Sequence, residues 1–123
     1  MNLIDTDVII EMIRQKKYRS GIISPITLIE VLRGIEAEKR SRVKRLLEES
    51  FSVLNLDNSI IEMYCNIYVT LKSQGISIPD ADLLIASSAI AHNLFLETKD
   101  EHFLRLETMG LRLEQSRKAG TAE

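Results

Sequence analysis

Only one cysteine, Cys65, occurs in this chain of 123 residues, so no internal disulfide can form. It lies in an apolar helical stretch, where the expectation is a buried thiol serving as a small hydrophobe rather than a nucleophile. Histidine is nearly as scarce, with His92 and His102 the only two. His92 follows a strongly apolar segment that it is expected to terminate, and His102 reads as a solvated helix residue, so neither is a good general base. No Gly-rich phosphate loop, C-x-x-C pair or G-x-S-x-G elbow occurs, which removes phosphate-loop, dithiol and elbow-serine chemistry. No apolar run approaches the roughly 18 residues needed to span a bilayer. The opening Met1-Asn2-Leu3-Ile4-Asp5 has neither a basic lead nor a small-residue cleavage site, and the expected location is cytoplasmic.

What is present is the composition of a globular protein, 45% hydrophobic and 28% charged. One domain is expected over residues 1–115, followed by a disordered tail over 116–123. The 16 basic and 18 acidic residues sum to −2, an unhelpful total for a nucleic-acid binder. Their distribution says more, because basic residues crowd into Arg14-Gln15-Lys16-Lys17-Tyr18-Arg19 and Lys39-Arg40-Ser41-Arg42-Val43-Lys44-Arg45. Such runs serve either as solvated helix faces or as phosphate contacts.

Short apolar runs alternate with helical patterns along the chain. Leu3-Ile4 reads as a buried strand turning through Asp5-Thr6-Asp7 into a helix that carries Val8, Ile9, Met12 and Ile13 at helical spacing. Ile22-Ile23 is a second strand, and Ser24-Pro25 supplies an N-cap and a first-turn proline for a helix to about Arg33. A further helix is expected over Lys39 to Ser50, a strand over Phe51 to Leu56, and a helix capped by Asp57 and ending near Gly75. Pro79-Asp80-Ala81-Asp82 opens a helix that is apolar on every side and therefore buried. Leu94-Phe95-Leu96 is the next strand. Thr98-x-x-Glu101 has the form of a capping box for a last helix, Gly110 closes it, and Leu111-Arg112-Leu113 forms an edge strand. Strands alternating with helices define an α/β protein with a mainly parallel sheet.

The chemistry rests on acids. Asp5, Glu30, Asp82 and Asp100 are the candidates, with Asp7 and Asp80 as auxiliaries. Each has a structural alternative: Asp5, Asp7, Asp80, Asp82 and Asp100 sit where carboxylates cap helices, and Glu30 shares a polar helix face with Thr27 and Arg33, opposite Leu28, Ile29, Val31 and Leu32. In parallel sheets, however, ligands bind beyond the carboxyl ends of the strands, where Asp5 lies. Carboxylates gathered there without buried lysine or arginine raise one another's pKa, and a hard divalent cation relieves this.

These segments together resemble the PIN-domain nucleases and, within them, the VapC-like toxins. Leu3 to Ile10 resembles the opening strand and first acid, Ser24 to Gly34 the helix with the second, Ile78 to Ala86 the segment in which the acid before Leu-Leu-Ile-Ala acts, and Leu96 to Phe103 the fourth. The resemblance covers about Leu3 to Leu113. It implies a three-layer α/β/α sandwich around a five-stranded, mostly parallel sheet. It also implies that Asp5, Glu30, Asp82 and Asp100 hold Mg²⁺ or Mn²⁺, with Thr6 or Thr98 orienting a carboxylate or water. Two features depart from the family pattern: Glu97 at a usually apolar strand position, and a short loop after Gln15.

The implied activity is endoribonucleolytic hydrolysis of RNA by metal-activated water, with Lys16, Lys17, Arg40 and Arg42 gripping the backbone. The implied partners are RNA, a cognate antitoxin protein and a second copy in a homodimer. Two alternatives remain open at this point. One is a haloacid-dehalogenase-like phosphatase with Asp5 as nucleophile, because Leu3 to Val8 also fits its hydrophobic-D-x-D-x-V opening. The other is a non-catalytic binding module.

Overall fold

A computed structural model describes residues 1–115, so the expected tail lies outside the described residues. Strands β1 (Leu3–Ile4), β2 (Ile22–Ile23), β3 (Ser52–Val53), β4 (Phe95–Thr98) and β5 (Arg112–Gln115) form one sheet in the order β3-β2-β1-β4-β5. Every neighbouring pair is parallel, so the sheet is wholly rather than mainly parallel among the described residues. Parallel neighbours need crossovers, which is why a helix or helix pair follows each inner strand. Helix α1 (Thr6–Gln15) joins β1 to β2, and α2 (Pro25–Leu32) with α3 (Ala37–Ser50) leads on to β3. Helices α4 (Asn58–Ser73) and α5 (Asp80–Ala91) then carry the chain to the other side of β1, where a 3-10 helix (Glu101–Met109) links β4 to β5. The winding direction therefore reverses between β1 and β4, and a crevice opens at their carboxyl ends.

Successive strand residues face opposite sides, and β1 shows what this achieves with a dipeptide. Leu3 packs with Leu71, Leu83, Ala86, Leu96 and Phe103 under α4, α5 and the 3-10 helix. Ile4 packs with Val8, Ile9, Ile23, Leu28 and Leu47 under α1, α2 and α3. Both side chains are fully buried, a burial that stabilises by about 2 kcal/mol each. Gly21 leaves room beside them, since a Cβ there would lie 2.4 Å from Ile4 Cδ1 and force that side chain to shift.

Caps form largely where the sequence places them. Ser24 Oγ accepts from the Ile26 amide, Asp57 Oδ1 from the Ile60 amide, and Gly110 ends the 3-10 helix at φ 102°. Four expectations need correction. The strand at Phe51 to Leu56 shrinks to Ser52–Val53, because β3 pairs only with the two-residue β2. The capping box at Thr98 does not form: Asp100 is the cap, and the Thr98 hydroxyl turns to Asp5 instead. Cys65 is exposed, since α4 buries the stripe of Ile60, Ile67 and Leu71 and Cys65 lies off it. On α2, Thr27 of the polar face is fully buried while Ile29 of the apolar arc is 58% exposed, so the buried side runs through Thr27, Leu28 and Val31.

Candidate acidic site

The site begins where β1 ends. The Asp5 amide donates to the Glu97 carbonyl at 2.9 Å, closing the β1–β4 pairing, and its side chain then caps α1 by accepting from the Thr6 amide at 2.8 Å. The other carboxylate oxygen accepts from the Thr98 hydroxyl at 2.7 Å. Asp5 is 5% exposed. Burial pushes its carboxyl from 3.8 up to about 6, against these two hydrogen bonds and with added repulsion from Asp7 and Asp82. Thr98 also accepts from the Asp100 amide at 3.0 Å, so one hydroxyl at the end of β4 ties two of the acids together.

Glu30 comes from the middle of α2. The Thr6 hydroxyl donates to its Oε1 at 2.6 Å and lies 3.1 Å from the Thr27 hydroxyl. Asp82 sits in the first turn of α5, half-buried, and burial followed by repulsion from Asp100, Glu30 and Asp7 raises its carboxyl above the usual range. Asp100 caps the 3-10 helix, its Oδ1 accepting from the His102 amide at 2.9 Å and lying 3.0 Å from His102 Nδ1. Asp5, Asp7, Glu30, Asp82 and Asp100 all line one pocket of about 220 Å³, with Thr6, Ile10 and Arg33.

The remaining candidates fall elsewhere. Asp80 is exposed and outside this pocket, its Oδ1 accepting from the Tyr64 hydroxyl at 2.6 Å. Lys16 and Lys17 follow the ten residues of α1, which carries them about 15 Å from Asp5 at 1.5 Å per residue. Arg40 donates to the Leu32 and Ile35 carbonyls beyond the end of α2, and Arg42 is exposed on α3. Arg33, which sequence reading placed on the Glu30 face without assigning it a role, lines the pocket with Nη2 3.9 Å from Glu30 Oε2. A larger cavity, about 670 Å³, is a different place, under the far half of α1. Within its lining Arg19 is paired to buried Glu97 and Asn2 donates to Glu114, while Glu11 is paired to Lys99. The two departures from the family pattern are thus one feature, since the loop after Gln15 supplies the cation for Glu97.

The donor set fits a hard divalent cation. It is all oxygen, it is gathered from four separate segments, and its one lining cation, Arg33, has a 71% exposed side chain. Among the described residues no three of these acids already stand in metal-holding geometry. Asp5, Glu30 and Asp100 are held by donors of their own instead, and like charges without a counter-ion keep apart.

The PIN domain family model matches residues 3–108, and the chain belongs to the PIN-domain family. It is similar to Ribonuclease VapC1 of Methanocaldococcus jannaschii, 38% identical over 115 residues that span 90% of this chain and 85% of that protein. Ribonuclease VapC1 of Rickettsia felis is 33% identical over 110 residues, spanning 78% and 82%. Among solved structures, VapBC-1 from nontypeable Haemophilus influenzae superposes with a TM-score of 0.78 at 27% identity, covering 93% of this chain and 96% of that one.

Proposed function

We propose that this chain is a Mg²⁺- or Mn²⁺-dependent endoribonuclease and the toxin of a VapBC-type pair. The observation that carries the reading is the convergence of Asp5, Glu30, Asp82 and Asp100 on one pocket, from β1, α2, α5 and the end of β4. These carboxylates are the residues to hold the cation, and Thr6 and Thr98 fix the directions of Glu30 and Asp5. A divalent cation there supplies water of lowered pKa and offsets charge on the phosphate. Asp7, exposed at the rim, adds negative charge without a fixed donor.

The phosphatase alternative is disfavoured by the same geometry. No lysine lines the pocket with Asp5 among the described residues, and Lys99, just past β4, is turned to Glu11. The relatives carry the partners: the Haemophilus structure is a VapBC assembly, and this chain is proposed to take RNA as substrate, a cognate antitoxin as its restraint and a second copy as a dimer partner. No helix among the described residues is long and apolar enough to cross a membrane.

Mapping the ends of a cleaved RNA tests the reading. The products are expected to carry 5′-phosphate and 3′-hydroxyl ends, with cleavage lost in EDTA and restored by Mg²⁺ or Mn²⁺. Cyclic phosphate ends, or full activity in EDTA, would overturn it. So would equal growth of a bacterial host expressing the wild type or Asp5→Asn without antitoxin.

A further inference from the structure

The acidic pocket does not stand alone. A second cavity of about 350 Å³ shares Asp82 and Asp100 with it and continues past them to Ser77, Ile78, Pro79, His102 and Arg105. Arg33 is absent from that second cavity and is common instead to the acidic pocket and to an apolar groove edged by Arg40 and Lys44. Along this trough of adjoining cavities the shared carboxylates Asp82 and Asp100 therefore separate a cation that lines only the first, Arg33, from one that lines only the second, Arg105. Arg105 is exposed and engages no carboxylate within 4.0 Å among the described residues. Arg33 reaches Glu30 only at 3.9 Å, leaving its guanidinium free to take another anion.

A cation-loaded centre between two unspent guanidinium groups matches an RNA strand in one specific way. The reacting phosphate sits over the carboxylates, and the phosphates before and after it meet the two arginines, whose planar forks suit phosphate oxygens. The cavity beyond Asp100 offers an apolar wall at Ile78 and Pro79 together with the Ser77 hydroxyl. We infer that Arg33 and Arg105 are the phosphate-binding residues flanking the acidic centre, and that the cavity between Ser77 and Arg105 seats the neighbouring nucleotide of a single-stranded RNA. This inference rests on the endoribonuclease reading. It also replaces Lys16 and Lys17, at the far end of α1, as the RNA grip.

Binding tests it apart from cleavage. In an Asp82→Asn background, expected not to cut, a fluorescein-labelled single-stranded RNA octamer is titrated in Mg²⁺ and followed by anisotropy at several salt concentrations. Adding Arg33→Gln or Arg105→Gln is expected to weaken binding about tenfold each. Each change should also lower the slope of log Kd against log salt by about 0.7. Lys17→Gln should change neither. Both arginines are exposed, so unchanged melting temperatures are expected to accompany the loss. Unaltered affinity and slope in either arginine variant would overturn the inference and leave the trough to a protein partner. So would an equal loss in Lys17→Gln. Should the arginine variants behave as expected while the wild type fails to cut RNA in Mg²⁺ or Mn²⁺, the nuclease reading falls and the trough stands.

Discussion

Asp5→Asn should remove activity while making the metal-free protein more stable at neutral pH. Burial raises the Asp5 carboxyl from 3.8 to about 6, a gap that corresponds to about 3 kcal/mol once the group is ionised. A carboxyl raised on folding costs nothing while protonated. The native state therefore keeps its full stability below about pH 4 and loses it as pH rises through 6. Asparagine stays neutral and escapes the loss. It can retain the bond from the Thr6 amide, but toward Thr98 an NH₂ now faces a hydroxyl that formerly donated. That mismatch costs about 1 kcal/mol. The net gain at pH 7.5 in EDTA is about 2 kcal/mol, a rise of roughly 6 °C in Tm for a chain of this size. At pH 4 the carboxyl is already neutral, only the mismatch remains, and the variant should melt slightly below wild type. Circular-dichroism melts in EDTA at pH 4, 5.5 and 7.5 read the crossover. An equal or lower Tm for the variant at pH 7.5, or a difference that ignores pH, would refute the claim that burial dominates at Asp5.

Three further outcomes follow from the same contacts. Mg²⁺ or Mn²⁺ should raise the wild-type Tm by binding only the folded state, by about 2.7 kcal/mol at a hundredfold excess over Kd. Asp82→Asn and Asp100→Asn should each shrink that rise, and a rise of undiminished size would place the cation elsewhere. Thr98→Val removes the donor to Asp5 and the acceptor for the Asp100 amide, and should cost about 2 kcal/mol in urea unfolding, with Thr98→Ser restoring most of it. Arg19→Ala strips the cation from Glu97, which is 6% exposed, and should cost about 2 kcal/mol without altering the metal-induced shift; a changed shift would show that this pair communicates with the site.

The legible parts of this chain are those decided locally. Ser24-Pro25, Asp57 and Gly110 act on backbone groups within a few residues, and each does so in the fold. The alternation of apolar runs with helical patterns was enough for the α/β class. What the pattern could not supply is competition from distant residues. The Thr98 hydroxyl has a local use, as a helix cap, and a distant one, at a buried carboxylate 93 residues away; the charged partner wins because charge-assisted bonds are stronger. Arg33 was visible only as a face-mate of Glu30, and its place in the trough depends on how α2 packs beneath α1. Lys16 and Lys17 are legible as part of a basic run, but their distance from Asp5 is set by the ten residues of α1. The grouping of the four principal acids came from resemblance, since no spacing rule links positions 5, 30, 82 and 100.

The way those acids are mounted offsets part of the cost of gathering them. Asp5 caps α1, Asp82 lies in the first turn of α5, and Asp100 caps the 3-10 helix. Three helical N-termini thus point their positive ends into one pocket, each offsetting about 0.3–1 kcal/mol of the carboxylates' repulsion. Glu30 lacks such an end and has the Thr6 hydroxyl in its place. This compensation is partial. Helix ends of that size do not cancel a burial cost of about 3 kcal/mol at Asp5, and its carboxyl remains near 6 rather than at 3.8. On the proposed reading, that uncompensated remainder is what a divalent cation would relieve on binding. Metal affinity would then come partly from the burial cost, with its smaller share of repulsion, already stored at Asp5, so a neutralising change such as Asp5→Asn should give up affinity and recover stability for the same physical reason.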